Sequence, residues 1–229
     1  MNRFLSRNAI KIVSFIVLFL SFEAAFGGND TIPSSPQTAE EWYKRGFIMY
    51  IYNQSEEEIF CYKKAIELKP DYVEAYFKLG QVYIYPLKQY DEAIRWYKKI
   101  IELKPDCVRA YLKLGNVYAG LLEQKDKALE YYDKALELNP DYAFAFYRLG
   151  IAYANKYEQY EKAIKCFEKA IELEPDYGYA YYYMGDAYQA LGKEKEAIEF
   201  YKEAARLKIF YAKEWLRDNN ISWEENSEQ

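Results

Sequence analysis

Charged side chains make up most of the reactive groups in this chain, which has 36 Asp and Glu, 31 Lys and Arg, and no histidine. Without histidine there is no imidazole base, no His-containing metal site and no Ser–His–Asp triad. Most acidic residues adjoin lysines, as in Glu161-Lys162 and Glu194-Lys195-Glu196. This pattern is typical of solvated helix faces rather than of paired catalytic carboxylates. The sequence therefore predicts no catalytic residue, no metal site and no cofactor.

Four Pro-Asp pairs recur at a period of 35 residues, starting at Pro70, Pro105, Pro140 and Pro175. A fixed period of this length indicates an array of one supersecondary unit. Within each period, apolar residues at steps of three and four form two sets, which predicts two amphipathic helices. Pro86 lies between the two sets of one period, where it cannot continue a helix. We predict that the aspartate after each proline caps the next helix through its carboxylate.

The repeated pattern resembles the tetratricopeptide repeat, which has aromatic, Leu-Gly, Tyr, Ala and Pro residues at fixed positions. Five copies lie at about residues 39–72, 73–107, 108–142, 143–177 and 178–209. The third copy shows the pattern in full, with Tyr111, Leu114, Gly115, Tyr118, Ala128, Tyr132, Ala135 and Pro140. The outer copies depart from it, with Arg45 in place of Leu in the first and Ile209 in place of Pro in the fifth. Copies two to four hold one extra residue in the turn between the helices.

This resemblance implies an all-α fold, a right-handed α-solenoid of five helix-turn-helix repeats with no strands. Residues 210–218 are predicted to form a C-terminal capping helix, followed by a tail at 219–229. A terminal element of this kind must be apolar on one side and polar on the other. Three apolar residues would cover the fifth repeat and three charged ones would face water: Phe210, Trp215 and Leu216, and Lys213, Glu214 and Arg217.

Each copy also carries one glycine in the middle of its first helix, and three cysteines are scattered along the chain. Gly46, Gly80, Gly115, Gly150 and Gly185 are not part of a glycine-rich phosphate loop, so we interpret them as sites of close helix–helix approach. Cys61 and Cys166 occupy the same position in copies one and four, which argues against a disulfide because two repeats lie between them. With no CxxC motif, we interpret these two and Cys107 as packing residues rather than as metal ligands or redox groups.

The first 27 residues are predicted to be a secretory signal peptide. Arg3, Arg7 and Lys11 precede an apolar run at residues 12–22, which is too short to span a bilayer comfortably but suits a signal sequence. Small residues at Ala25 and Gly27 predict cleavage between Gly27 and Gly28, and hence a periplasmic or extracellular protein. An uncleaved membrane anchor at 12–22 is the alternative. Residues 28–38 have the composition of a disordered linker.

Charge excludes one class of partner. The chain has a formal net charge of −5 and no basic cluster, so it is a poor candidate for binding nucleic acid. Tyrosine accounts for 27 of the 229 residues, and many of these occupy repeat positions that pack helices together. Other aromatic residues lie outside those positions, and rigid amphipathic rings favour binding of a peptide.

By resemblance to the family, the first helix of each repeat lines a concave groove. The residues just outside its packing positions are then the predicted partner-binding set: Tyr43, Phe47, Phe77, Gln81, Tyr85, Arg109, Leu112, Asn116, Phe144, Tyr147, Ile151, Tyr179, Tyr182 and Asp186. A basic row runs beside them at equivalent positions of four copies: Lys44, Lys78, Lys113 and Arg148. These four are either solvated helix flanks or groups that orient acidic parts of a partner.

Family members that hold chaperone C-termini clamp two carboxylates with Lys, Asn and Arg at defined positions. This chain has Arg109 and Lys113 at two of them, but Tyr43, Phe47 and Lys78 stand at the others, so the clamp is incomplete. The sequence favours a non-enzymatic adaptor of the cell envelope or secreted space that binds a protein segment in its groove. The alternative is an envelope protein whose aromatic surface mediates self-association.

Overall fold

The computed structural model describes residues 36–223, and all regular structure in that range is helical. It contains eleven helices and no strand: α1 (Ala39–Ile51), α2 (Ser55–Leu68), α3 (Val73–Ile84), α4 (Tyr90–Leu103), α5 (Val108–Gly120), α6 (Lys125–Leu138), α7 (Ala143–Tyr157), α8 (Tyr160–Leu173), α9 (Gly178–Ala190), α10 (Glu194–Arg206) and α11 (Phe210–Asp218). The predicted all-α fold of paired helices plus one terminal helix is confirmed. The predicted signal peptide, its predicted cleavage site and most of the predicted linker lie outside the described residues.

The chain divides into two compact units, and the first ends at Pro70. Its described part is a single hairpin of α1 and α2. Thr38 caps α1 through its hydroxyl, which accepts from the backbone N–H of Glu41 at 3.2 Å. The Glu41 carboxylate in turn accepts from the Thr38 backbone N–H at 3.0 Å. This reciprocal pair satisfies two backbone donors that a helix start leaves open, and so fixes where the first repeat begins.

The second unit begins at Asp71 and contains four hairpins in chain order, followed by α11. Within each hairpin the two helices touch at a glycine of the first helix and an aromatic ring of the second. A Cβ atom added to Gly115 would lie 2.7 Å from the ring of Tyr132, and one added to Gly150 would lie 2.5 Å from that of Phe167. Neither distance is sterically possible without a shift. The glycines are therefore sites of close helix approach, as the sequence indicated.

The extra residue of the middle copies lies in the turn between the two helices. In each of those copies a backbone hydrogen bond closes a longer turn. In the second copy it runs from the N–H of Gln89 to the carbonyl of Tyr83 at 2.7 Å. In the fifth copy the matching bond runs from Lys193 to Tyr188 at 3.0 Å and spans one residue fewer. Each longer turn has one residue with a left-handed backbone, directly before the residue that donates the closing hydrogen bond. These residues are Lys88, Glu123 and Glu158, with φ of 54°, 53° and 52°.

The prediction that the Pro-Asp aspartates cap the following helices is wrong. The N-cap residues of α3, α5, α7 and α9 are the residues after the aspartates, and none of these helix starts has a side-chain cap. Three of the four aspartates act through the backbone instead. The carbonyl oxygens of Asp71, Asp106 and Asp176 accept from the N–H two residues later, at 2.8, 2.9 and 2.8 Å. This tight local turn sets the direction of the next helix.

Helix α11 packs on the second helix of the fifth repeat. Ala212 and Leu216 are fully buried there, and the Trp215 ring lies 4.2 Å from that of Tyr201. Phe210 was expected to join this contact, but 62% of its surface is exposed, so that part of the prediction is wrong. The first residue of the short helix points away from the repeat that the helix covers.

All three cysteines lie in the described range and none forms a disulfide. Burial raises the pKa of the Cys166 thiol to about 12 and that of Cys61 to about 11, so both stay protonated at neutral pH. Across residues 36–223, no helix has the length and apolar character needed to cross a membrane. Within the same range, no three His, Cys, Asp or Glu side chains are arranged to hold a metal ion.

Candidate functional site

The first helices of the second unit form one surface, which we call the first-helix face and define by α3, α5, α7 and α9. Helix α5 packs against α7, and α7 against α9, so their outward sides adjoin. Four of the predicted groove residues are well exposed on this face. They are Tyr85, Arg109, Phe144 and Tyr179, and the Tyr85 ring is the most accessible at 75%.

A chain of aromatic contacts crosses this face from α7 to α11. The ring centroid of Phe144 lies 6.1 Å from that of Tyr147, which lies 5.8 Å from Tyr183. Tyr183 is 5.3 Å from Tyr182, and Tyr182 is 6.1 Å from Tyr211 in α11. Burial raises the pKa of Tyr147 and of Tyr182 to about 12, so both rings are neutral at physiological pH. The structure thus brings the predicted groove residues Tyr147 and Tyr182 into contact with Tyr183 and Tyr211, which the sequence analysis did not select.

Two other predicted residues are buried beneath the face. Phe77 and Leu112 expose only 4% and 3% of their surface. The Arg109 guanidinium lies over the Phe77 ring, 4.3 Å from its centroid, in a cation–π contact. Phe77 and Leu112 therefore support the surface from below, while Arg109 is what a partner would meet there.

Two polar groove residues are hydrogen bonded to the core. Asn116 accepts from the Tyr132 hydroxyl at 2.8 Å and from Arg148 Nε at 2.9 Å. Asp186 accepts from the Tyr201 hydroxyl at 2.7 Å. Burial raises the pKa of Asp186, and the Tyr201 hydrogen bond partly offsets that rise. These side chains already have partners, and the Asn116–Arg148 bond also ties α5 to α7.

A pocket of about 380 Å³ opens where α3, α4 and α5 meet Arg148 of α7. The polar and charged side chains of its lining include Lys88, Tyr97, Lys113, Asn116 and Arg148. Burial lowers the pKa of Lys113, and the positive charges of Arg109 and Arg148 lower it further. No Asp or Glu is among the described residues that line the pocket. It is therefore a cationic recess within the first-helix face.

The remaining predicted residues lie on α3 and α7 of the second unit and on α1 of the first. Gln81, Ile151 and Lys78 are partly buried on α3 and α7 of the second unit. In the first unit, the Tyr43 ring packs 5.6 Å from that of Tyr62, and Phe47 stacks on Tyr50 at 6.2 Å. Lys44 is exposed on the same helix.

The family comparison agrees with this geometry. A model described as "TPR repeat" matches residues 53–84, 85–121, 122–156 and 158–192, which together exceed half of the chain. A second, described as "Tetratricopeptide repeat", matches residues 178–208. The chain belongs to the tetratricopeptide repeat family. A model of the Sel1 repeat also matches residues 18–46, a range that extends across the predicted signal-peptide cleavage site.

Solved structures of other tetratricopeptide repeat proteins are similar to this one. The crystal structure of MamA is 31% identical, with a TM-score of 0.60 over 73% of this chain and 96% of MamA. MamA 41-end from Desulfovibrio magneticus RS-1 is 24% identical, with a TM-score of 0.61 over 74% of this chain and 94% of that one. YrrB, described as having an unusual peptide-binding site, is 23% identical, with a TM-score of 0.56 over 87% of this chain and 97% of YrrB. The latter two show the fold alone. No curated protein matches the chain in sequence.

Sequence reasoning missed the second-helix tyrosines of this tetratricopeptide repeat protein as parts of the face. Tyr132 and Tyr201 looked like packing residues, yet their hydroxyls reach groove residues 16 and 15 positions earlier in the chain. The available signal was a spacing that changes only by the one extra residue in the turn of the middle copies. Lys88 was missed because it lies in a turn, where no helical pattern marks it.

Proposed function

We propose that this tetratricopeptide repeat protein is a non-enzymatic adaptor that holds a segment of a partner protein on its first-helix face. The observation that carries the proposal is the contact chain of aromatic rings from Phe144 to Tyr211, together with the cations Arg109, Lys113 and Arg148 on the first helices. Aromatic and arginine side chains dominate the energy of protein interfaces. Proteins of this family bind protein or peptide partners, and the similar protein YrrB is described as having a peptide-binding site.

Rings and charges should contribute differently to binding. Each ring offers a large apolar area at a small cost in side-chain entropy, so its contribution should not depend on salt. The exposed cations act over a longer range, steer an acidic partner during association and are screened as the salt concentration rises. Affinity should therefore come mainly from the rings, and charge selectivity from the cations.

The test is selection of ligands for the full chain from a synthetic library of random octapeptides. Selected peptides should lose about thirtyfold in affinity with the Phe144→Ala, Tyr179→Ala double variant, which corresponds to about 2 kcal/mol. The loss should be the same at low and high salt. Phe144 and Tyr179 are 38% and 46% exposed, so their removal should leave the helical circular dichroism intact.

The matched control is Phe60→Ala, which removes a 53% exposed ring from α2, a second helix outside this face. It should leave peptide binding unchanged. Failure to select any peptide, or equal binding by the double variant and the wild type, would refute the proposal. Self-association remains the competing function, and it would appear as a concentration-dependent mass of the full chain in solution.

We also propose that the protein is exported and works in the envelope or secreted space, a proposal supported only by the residues of the N-terminal segment. Arg3, Arg7 and Lys11 before the apolar run at 12–22 favour it, as do the small residues at the expected cleavage site. N-terminal sequencing of protein from native cells should begin at Gly28. A chain that begins at Met1 in the membrane pellet would indicate an anchor, and Met1 in the cytosolic fraction would refute export.

A further inference from the structure

The cationic pocket combines three positive side chains with no compensating acid among the described residues of its lining. Lys88 is exposed at its rim, and Lys113 and Arg148 are partly buried in its wall. Arg148 holds its position through Nε, which donates to Asn116 at 2.9 Å. Like charges brought together in a partly desolvated recess repel one another, and an anion between them would remove that cost.

A buried hydroxyl in the same pocket also lacks a partner. The Tyr97 side chain is fully buried, lies in the pocket wall and has no hydrogen bond from its hydroxyl to any described residue. The equivalent hydroxyls of Tyr132 and Tyr201 are bonded to Asn116 and Asp186. A buried donor without an acceptor is costly, and such a group points to a missing partner. An acceptor oxygen in the pocket would satisfy the Tyr97 hydroxyl.

The charge of the pocket is particular to this repeat. Lys88 occupies the left-handed position of the longer turn, with φ of 54°. At the same position of the next two repeats stand Glu123 and Glu158, with nearly identical backbone angles. Among these three described turns, the same geometry therefore presents a cation only at Lys88, which lines the same pocket as Lys113 and Tyr97.

We propose that this pocket binds one carboxylate of the partner segment, either an acidic side chain or the C-terminus. The inference rests on the proposed function, because it takes the partner to be a protein. Lys88, Lys113 and Arg148 would supply the charge, and Tyr97 a hydrogen bond. The site shares the position of Lys113 with the family's chaperone-tail clamp, but it differs in its use of a turn residue and of a tyrosine of the second helix.

The first experiment tests the pocket without any peptide. Full-length protein with ¹³C-labelled tyrosine is titrated with sodium acetate at constant ionic strength, in a buffer free of carboxylate and phosphate. The Tyr97 resonance, assigned from the Tyr97→Phe variant, should shift saturably with acetate and not with acetamide. In Lys113→Gln the shift should be lost, while Lys165→Gln, which removes an exposed lysine of α8, should leave it unchanged.

The absence of a saturable shift overturns the pocket proposal, whatever the peptide library yields. The same holds if inorganic phosphate saturates the site at a concentration tenfold lower than acetate does, because the pocket would then be a phosphate site. A normal acetate response combined with no selected peptide would instead refute the proposed function and leave the carboxylate site standing.

The second experiment identifies the source of the carboxylate in a peptide selected from the octapeptide library. The C-terminus is amidated and each acidic residue is replaced by its amide, one change at a time. One of these changes should weaken binding at least tenfold. In the Lys113→Gln variant that same change should weaken binding no further, because the Lys113 ammonium and the peptide carboxylate contribute to affinity through their contact with each other. Peptides that tolerate all of these changes while still depending on Phe144 would overturn the pocket proposal and support the adaptor.

Discussion

Replacement of Tyr201 by Phe tests whether the second-helix hydroxyls hold the first-helix face in place. The Tyr201 ring is fully buried, so the change removes an oxygen without opening a large cavity. Its hydroxyl donates to the Asp186 carboxylate at 2.7 Å, and a hydrogen bond to a charged group contributes about 1.5–3 kcal/mol. We expect Tyr201→Phe to lower the free energy of unfolding by about 2 kcal/mol at pH 7, measured by urea unfolding at 25 °C.

Two equivalent tyrosines serve as controls for this measurement. Tyr132→Phe should cost less, about 0.5–1.5 kcal/mol, because the bond is to a neutral amide and Asn116 keeps its bond to Arg148. Tyr97→Phe should be neutral or stabilising, since its hydroxyl has no partner within residues 36–223. Phe167 already occupies this position in the fourth repeat. The reasoning is tested by the order of the three losses in unfolding free energy, which should be largest for Tyr201→Phe, smaller for Tyr132→Phe and smallest for Tyr97→Phe.

The effect of Tyr201→Phe should depend on pH. Burial raises the folded-state pKa of Asp186, so this carboxyl destabilises the fold above that pKa, and the penalty disappears as pH falls below about 3.9. The Tyr201 hydrogen bond lowers that pKa, so its loss raises the pKa further and enlarges the penalty at pH 7. The difference between variant and wild type should therefore shrink towards pH 4. Equal losses for all three tyrosines, or no pH dependence, would refute the reasoning.

Further predictions concern packing and the chain end. Gly115→Ala should destabilise the protein by about 1–3 kcal/mol in urea unfolding, because its Cβ would lie 2.7 Å from a buried ring. Gly120→Ala meets nothing within 4 Å and should instead stabilise by about 0.5 kcal/mol; a loss there would contradict the steric argument. Trp215→Ala should cost about 2 kcal/mol by the same assay, and Phe210→Ala, at 62% exposed, less than 0.5. Deletion of residues 208–229 should lower the melting temperature, and an unchanged melt would refute the capping role of α11.

The helical repeats were predictable because their causes are local and repeated. Apolar spacing, a proline in one turn and glycine at a fixed position each determine structure within a few residues, and five copies reinforce the pattern. The close approach at Gly115 is confirmed for this reason. The failed aspartate caps show the limit, since the sequence pattern does not distinguish a carboxylate cap from a carbonyl that accepts two residues later.

The site was harder to predict, because its geometry depends on atoms that meet across helices. Asn116 and Asp186 lie at surface positions in the sequence, but the structure occupies them with hydroxyls from the core. Phe77 lies at a position expected to be open, and Arg109 of the next repeat covers it. The pocket needed Lys88, whose direction depends on a left-handed turn residue that amphipathic spacing does not reveal.

The contact between the second-helix ring and the first-helix surface also limits how such a face can change during evolution. Where the ring is Tyr132 or Tyr201, the surface position supplies an acceptor for the hydroxyl. Where it is Phe167, the surface position is the apolar Ile151, which packs in the same cluster. In these repeats the polarity of the surface position, and with it the preference for a polar or an apolar ligand, is thus coupled to one hydroxyl oxygen in the core. Within the second unit, a Tyr/Phe exchange in the interior would allow the exterior of that repeat to acquire a new specificity.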